Sequence, residues 1–202
     1  MKFILGRKIG MSQFFNKDGK LIPVTLVSAG PCYVLQKKNK KADGYDALQI
    51  GFEKIEKKNK IKKTMKGKEY GYLKEMRDKK EIGEEQLLNI GDEINVSVFK
   101  EEEKVKISGI SKGKGFQGGV KRHGFKGRNA SHGVKHEQRT IGSTGCRFPQ
   151  HVIKGRKMPG RMGYERVSVK NLKIMKIEPE NNLLIIKGAI PGHKGTLLEI
   201  RG

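Results

Sequence analysis

Histidine and cysteine side chains, which could bind a metal or attack a substrate, are concentrated in one part of this sequence. Four of the five histidines lie between residues 123 and 151, and Cys146 lies among them. His132 and His136 are spaced like one half of a zinc site, but neither paired cysteines nor a second histidine pair completes a tetrahedral set. Glu137 stands almost alone, so no carboxylate couple supports acid–base catalysis. The pattern favours histidines that contact bases, phosphates or sugars over a metal or catalytic centre.

Residues 113–118 read GKGFQG, which fits the G-x-G-x-x-G pattern that can mark a dinucleotide site after a strand. Such a site also needs a helix that starts at the glycines, so that its N-terminus holds the pyrophosphate. The residues that follow, 119–124, are poor helix formers. We therefore interpret these glycines as positions where the backbone bends closely along phosphates.

Positive charge is concentrated in the same region. From residue 111 to residue 170 there are fifteen Lys or Arg and two acidic residues, which gives +13 of the chain's total of +23. A segment of this kind repels itself and has few apolar side chains, so it needs a polyanion to settle against. Nucleic acid is the natural polyanion. Arginines are the strongest candidates for ordered contacts, because a planar guanidinium can bridge two phosphates or stack on a base.

An anionic membrane surface would be the second choice of partner. Binding to it would need a basic amphipathic helix or an apolar anchor, and the basic residues are instead interleaved with glycines. No signal peptide and no membrane-spanning run is visible in the sequence. Cys32 and Cys146 lie far apart, which weakly favours a reducing compartment. We expect a soluble, intracellular protein.

The rest of the chain predicts short strands separated by turns, as in a small barrel or sandwich. The predicted strands cover residues 11–15, 22–27, 33–36, 45–52, 94–99, 104–110, 167–177, 183–187 and 192–200. A short helix is predicted near 70–77, within a Lys-rich excursion at about 53–85. Because strands flank the basic segment on both sides, it is an insertion between two barrel strands. The predicted domains are therefore a barrel in two parts, 1–110 and 167–202, with an extension at 111–166.

Several short sequences resemble landmarks of the ribosomal protein L3 family, in the same order and with bacterial-type spacing. The resemblance covers nearly the whole chain. Its landmarks are 6–12 (GRKIGMS), 22–25 (IPVT), 43–49 (DGYDALQ), 111–116 (SKGKGF), 121–122 (KR), 131–133 (SHG), 142–145 (GSTG), 154–163 (KGRKMPGRMG) and 182–192 (NLLIIKGAIPG). Residues 146–153 are about one residue shorter than the usual bacterial loop.

The resemblance implies a mainly β fold with a six-stranded barrel of the type shared with translation factors. A long, largely irregular basic extension between barrel strands would penetrate the ribosomal RNA toward the peptidyl transferase centre. A small α or irregular excursion would complete the fold. The barrel would bind near the end of the large-subunit RNA early in assembly and touch neighbouring ribosomal proteins. The implied protein is a non-enzymatic, cytoplasmic constituent of the large subunit, with no cofactor, metal, membrane or small-molecule substrate.

The charge pattern and the resemblance together predict a set of residues that bind ribosomal RNA. They are Lys112, Lys114, Phe116, Lys121, Arg122, His123, Arg128, Ser131, His132, Arg139, Arg147, Lys154, Arg156, Lys157, Arg161 and Arg166. Three aromatic residues in the segment, Phe116, Phe125 and Phe148, are either stacking platforms or small hydrophobic anchors.

Two other functions remain open at this point. One is an enzyme that modifies or cleaves RNA with His132, His136 or Cys146. The other is an RNA chaperone that exchanges freely and binds many RNAs equally well. The enzyme would lose RNA turnover on His136→Ala, and the chaperone would leave large subunits in a high-salt wash.

Overall fold

The computed structural model describes residues 2–16, 19–57, 61–77 and 88–202. The chain divides into two compact units. The first unit comprises the chain up to Ile110 together with Arg166–Gly202, and the second unit is Ser111–Glu165. Strands dominate the regular structure, so the prediction of a mainly β protein is confirmed.

The first unit contains ten of the strands that the structure describes, and the second unit contains two short ones. The strands are β1 (Phe3–Phe15), β2 (Leu21–Ala29), β3 (Cys32–Lys38), β4 (Ala47–Lys54), β5 (Tyr70–Met76), β6 (Glu93–Ile94), β7 (Lys104–Ile110), β8 (Phe116–Gln117), β9 (Gly160–Arg161), β10 (Arg166–Glu178), β11 (Leu183–Lys187) and β12 (Leu197–Arg201). The helices are α1 (Lys40–Asp43) and α2 (Gly119–His123), with 3₁₀ turns at Lys63–Met65 and Val96–Val98. No helix in these described ranges has the length and apolar character needed to cross a membrane.

Six strands of the first unit form a closed barrel in the order β1, β12, β7, β10, β11, β2. Every neighbouring pair is antiparallel, and β2 pairs back with β1 to close the ring. Closure leaves no free edge in this sheet, so its backbone donors and acceptors are paired around the ring. The end of β7 lies opposite the start of β10, where Ile110 pairs with Arg166. The second unit is therefore connected between two adjacent barrel strands.

The remaining strands form a second sheet in the order β5, β4, β3, β6. It shares one hydrophobic core with the barrel, in which buried residues of β1 such as Phe3, Ile4 and Leu5 lie with Val34 and Ile50 of the second sheet. This arrangement explains why β1 begins with three consecutive buried apolar residues instead of an alternating pattern, since both of its faces are covered there.

The predicted helix near residues 70–77 is wrong, because Tyr70–Met76 is strand β5. Residues of β5 pair with β4 from Lys54 opposite Tyr70 to Leu48 opposite Met76, and the Met76 side chain is buried. Backbone pairing with β4 and burial of this apolar side chain outweigh the local helix propensity of the sequence. The excursion that we predicted at about 53–85 is thus partly a strand, and its residues 58–60 and 78–85 lie outside the described residues.

Two further strand predictions are wrong in detail. The segments 33–36 and 45–52 belong to the second sheet and not to the barrel. The strand predicted at 94–99 is only Glu93–Ile94, after which Val96–Val98 forms a 3₁₀ turn. Alternating apolar residues identify a strand but do not specify which sheet it joins, because that depends on pairing with distant segments.

An ion pair joins the barrel strand β1 to the second sheet. The Arg7 guanidinium donates to both carboxylate oxygens of Glu53, and to the Tyr72 hydroxyl at 3.0 Å. Hydrogen bonding from Glu53 raises the pKa of Arg7, although partial burial opposes the shift. A bidentate pair of this kind fixes the geometry of the two groups more tightly than a lysine could.

Cys32 is the buried thiol of the core, and we expect it to resist thiol reagents. Its side chain is 0% exposed, and the Leu5 amide donates to its sulfur at 3.4 Å. Burial raises the pKa of Cys32 to about 12, above its ordinary value of 9.0. A thiol reagent at about pH 8 should therefore label only Cys146, which is exposed, because the thiolate is the reactive form. The number of labelled thiols in the native protein measures this.

Matched variants and pH provide the controls. Cys146→Ser should abolish labelling of the native chain, and Cys32→Ala should leave it unchanged. Because the folded thiol keeps its proton up to a higher pH than the unfolded one, its contribution to stability is present below about pH 9 and declines toward pH 12. The decline is at most about 1.4 kcal/mol per pH unit and should be absent in Cys32→Ala. Equal labelling of both cysteines would contradict the buried placement.

Candidate nucleic-acid interface

The second unit begins and ends as a paired stem, which we define as residues 111–117 and 160–165. The Ser111 amide donates to the Glu165 carbonyl at 2.9 Å. Farther along, the Lys114 amide donates to the Met162 carbonyl, and the Met162 amide donates to the Gly115 carbonyl, both at 2.9 Å. The two-residue strands β8 and β9 continue the pairing. The basic segment therefore enters and leaves as an antiparallel hairpin.

Close backbone contacts make glycine necessary in this stem. Gly163 has a φ of +75°, a conformation that disfavours other residues, and a Cβ there would overlap the Lys112 carbonyl oxygen. Gly127 has the same φ of +75° and lies equally close to the Gln138 carbonyl oxygen. The glycines thus serve approach between two segments of this chain, in addition to any approach to phosphates.

The short helix α2 follows β8 directly, so our expectation that residues 119–124 form no helix is wrong. The helix has only five residues and ends at Gly124, which adopts the left-handed conformation with a φ of 74°. Lys121, Arg122 and His123 occupy its last turn, where positive charge is favourable near the negative end of the helix dipole. Gly119 is buried and would place a Cβ against Ile141, so packing against the rest of the unit supports the helix.

Two of the predicted RNA-binding residues, Arg122 and His123, face the interior of this unit. The Arg122 guanidinium donates to the Met158 carbonyl oxygen at 2.7 Å. The His123 Nε2 lies 3.1 Å from the same oxygen. Both side chains are half-buried, whereas the other members of the predicted set are exposed. Arg122 and His123 therefore hold the returning segment of the hairpin beside α2.

The three phenylalanines of the segment fall into two groups. Phe125 is half-buried, packs against Gly119 and lies with its ring 5.8 Å from that of His123, so it is a hydrophobic anchor. Phe116 and Phe148 are 77% and 70% exposed. Large exposed aromatic rings in a basic segment are suited to stacking on bases.

Tyr164 is an exposed aromatic residue that the sequence analysis missed. It is 64% exposed, and the Arg161 guanidinium carbon lies 4.9 Å from the centre of its ring. Its position directly between a glycine-rich run and Glu165 gave no periodic signal. The combination of an arginine and an aromatic residue within four positions could have identified it.

The exposed predicted residues differ in how far the chain already engages them. Arg128 is paired with the Glu137 carboxylate, and the Arg156 guanidinium donates to the Ser143 carbonyl at 2.7 Å. The other exposed members within the second unit are Lys112, Lys114, Phe116, Lys121, Ser131, His132, Arg139, Arg147, Lys154, Lys157 and Arg161. Their side chains are accessible to a nucleic-acid partner.

Arg166 lies just beyond the second unit. It is the first residue of β10, opposite Ile110, and it forms an ion pair with Glu199 of β12. The predicted extension at 111–166 is thus one residue longer than the second unit. The reason is that strand pairing with β7 resumes at Arg166.

The histidines do not gather into a metal site in the part of the chain that the structure describes. No three His, Cys, Asp or Glu side chains lie close enough there to hold an ion. His132 and His136 are both exposed.

We expect Arg122→Ala to loosen the hairpin in the free protein. The substitution removes a charged hydrogen bond to Met158, an interaction that contributes about 1.5 to 3 kcal/mol. The Met162 amide should then exchange about 10- to 100-fold faster, as measured by hydrogen exchange of the full chain. Arg139→Ala is the matched control, because Arg139 is exposed. Equal effects of the two substitutions would contradict an interior role for Arg122.

Comparison with known proteins gives matches over both units. A family model described as "Ribosomal protein L3" matches residues 32–182. The protein named "Large ribosomal subunit protein uL3" from Carboxydothermus hydrogenoformans is 50% identical over 203 residues, covering 99% of this chain and 96% of the relative. The relative of the same name from Thermosipho africanus is 48% identical, with 100% and 98% covered. That from Desulfitobacterium hafniense is 44% identical, with 99% and 95% covered.

Proposed function

Because this chain belongs to the ribosomal protein L3 family, a family of structural and non-enzymatic proteins, we propose that it binds large-subunit ribosomal RNA as a constituent of the ribosome. The second unit is the main RNA-binding element. Its thirteen Lys or Arg and two acidic residues give a net charge of +11 over residues 111–165. One of the two acids, Glu137, is already paired with Arg128.

The observation that carries the proposal is the combination of this charge with an internally hydrogen-bonded hairpin. The chain spends backbone hydrogen bonds and interior side chains such as Arg122 on its own shape. Most of its basic side chains remain exposed. Fixed cations bind phosphates with less loss of conformational entropy than cations on a disordered tail, and release of counterions favours the complex.

The residues of the predicted set divide into two roles under this proposal. The exposed side chains contact phosphates, sugars or bases, with the arginines making the ordered contacts. Arg122 and His123 are positioning residues, because both are directed at the Met158 carbonyl. Arg166 is a proposed contact of the barrel unit, where its pairing with Glu199 sets its orientation.

We further propose the finer features that the family implies. The barrel is of the translation-factor type, lies at the subunit surface and binds near the end of the large-subunit RNA early in assembly. The extension reaches toward the peptidyl transferase centre, where it orders RNA that performs the chemistry. Neighbouring large-subunit proteins contact the barrel, and the ribosomes are cytoplasmic. The closed ring of six strands supports the barrel assignment.

Sedimentation of a cell lysate at high salt tests the proposal. The lysate is separated on a sucrose gradient at a salt concentration that strips loosely held proteins, and each fraction is probed for this chain. We expect stoichiometric recovery in the large-subunit peak. Recovery only at the top of the gradient would reject the proposal and favour a freely exchanging RNA chaperone.

A further inference from the structure

The second unit contains a cavity of about 260 Å³ within the loop from residue 143 to residue 156. We call it the loop pocket. Apolar and aromatic side chains form much of its lining, among them Phe148, Pro149 and Ile153, together with Cys146 and His151. Its size is below the range of about 300 to 1,000 Å³ that is usual for drug-sized ligands. It is suited to one planar ring system.

Hydrogen bonds within the chain hold the two sides of the loop pocket together. The Arg156 guanidinium donates to the Ser143 carbonyl at 2.7 Å, which joins the start of the loop to its end. The Arg156 amide donates to the Ile153 carbonyl at 3.2 Å and forms a turn on the returning side. The pocket is thus closed by contacts of this loop itself.

Apolar side chains around the pocket are unusually exposed for a small protein unit. Phe148, Ile153 and Val152 are 70%, 61% and 46% exposed. The Arg147 guanidinium carbon lies 5.9 Å from the centre of the Phe148 ring, over one face of it. An exposed apolar patch of this kind marks a binding surface, and the opposite face of the ring is available for a partner.

The charge around the pocket selects the class of partner. Residues 138–164 contain six Lys or Arg and no Asp or Glu. Lys154 and Arg156 line the pocket next to its apolar wall. A partner must therefore present a flat apolar face beside negative charge, and a nucleotide does so with its base and its phosphate.

We propose that the loop pocket receives a single unstacked base of the large-subunit ribosomal RNA, stacked on the free face of Phe148. Lys154 lies beside the phosphates that flank this base, and Arg156 keeps the pocket in shape through Ser143. The proposal rests on the proposed function, since it names the part of the RNA that this loop would bind. An acidic protein segment is the other partner of similar chemistry, and the experiment distinguishes the two.

Ultraviolet crosslinking of the unmodified protein is the first measurement. Large subunits that contain the full chain are irradiated with short-wave light, and crosslinked peptides are identified by mass spectrometry. We expect a nucleotide adduct on the peptide that contains Phe148, because stacked aromatic residues and bases are in direct contact. A crosslink from this peptide to another protein would overturn the proposal.

Chemical probing of bases in subunits carrying Phe148 variants is the second measurement. Stacking of usual strength corresponds to about 5- to 140-fold in the equilibrium between stacked and free base. One base should therefore become at least about fivefold more reactive in Phe148→Ala and in Phe148→Leu, which keeps apolar volume without a ring. Phe148→Tyr should leave it protected. Phe15→Ala, at an exposed phenylalanine of β1, is the control and should leave that base unchanged.

The outcomes separate the pocket from the broader function. Absence of the unmodified chain from large subunits would refute the proposed function itself. Its presence, together with unchanged base reactivity in Phe148→Ala, would refute the pocket alone. Protection by leucine equal to that by phenylalanine would also refute stacking, because it would show that apolar packing suffices.

Discussion

Raising the salt concentration from about 50 to about 200 mM should weaken binding of the full chain to a large-subunit RNA fragment by about 10³- to 10⁵-fold. This range follows if about six to ten phosphates are neutralised, because each contact releases a condensed counterion. The second unit has enough exposed cations for that number of contacts. Fluorescence anisotropy of a labelled RNA fragment, titrated at several salt concentrations, gives the slope directly.

Single substitutions test which cations contribute to this slope. Arg139→Gln, at an exposed arginine, should reduce the slope of log affinity against log salt by about one. Arg122→Gln should reduce it less, because the Arg122 guanidinium is engaged with the Met158 carbonyl. A response to salt that is flat in the unmodified protein would contradict the electrostatic basis of binding.

Gly163→Ala should open the stem of the second unit even without RNA. A Cβ at Gly163 would overlap the Lys112 carbonyl oxygen, and the φ of +75° alone costs about 1 to 2 kcal/mol for a residue other than glycine. With the overlap added, we expect a local destabilisation above about 2 kcal/mol, or about 30-fold faster exchange of the Lys114 and Met162 amides. Hydrogen exchange of the full chain, resolved by residue, measures this effect.

Gly155→Ala is the matched control for that substitution. Gly155 has a similar φ of +81°, but a Cβ there would meet no atom within 4 Å. Its substitution carries the conformational cost alone and should leave the Lys114 and Met162 amides close to their unmodified rates. If both alanine variants accelerate exchange equally, the close approach of Gly163 to Lys112 is not what determines the path of the stem.

Much of the first unit could be predicted from the sequence, because its strands carry local signals. The apolar and β-branched residues of β7 and β11 are bounded by turn residues, and the structure has strands there. Strand β5 could not be predicted, since Leu73, Lys74, Glu75 and Met76 are all good helix formers. Its strand conformation depends on pairing with β4, which no local pattern reveals.

The candidate interface was predictable in charge but not in internal structure. Counting Lys and Arg identified the second unit as the basic part of the chain. The engagement of Arg122 with Met158, 36 residues away, has no signature in sequence because its acceptor is a backbone carbonyl that every residue carries. Composition therefore suggested that every arginine was available to a partner, although Arg122 is not.

The pairing of Ile110 with Arg166 makes the barrel indifferent to what lies between them. These two residues are direct neighbours across an antiparallel ladder, so a two-residue turn could join them as in an ordinary hairpin. Insertions and deletions in the intervening chain leave the barrel ladder intact, and the entropic cost of closing a loop grows only slowly with its length. In evolutionary terms, the barrel is an anchor from which segments of different length and chemistry can be displayed without redesign of the fold.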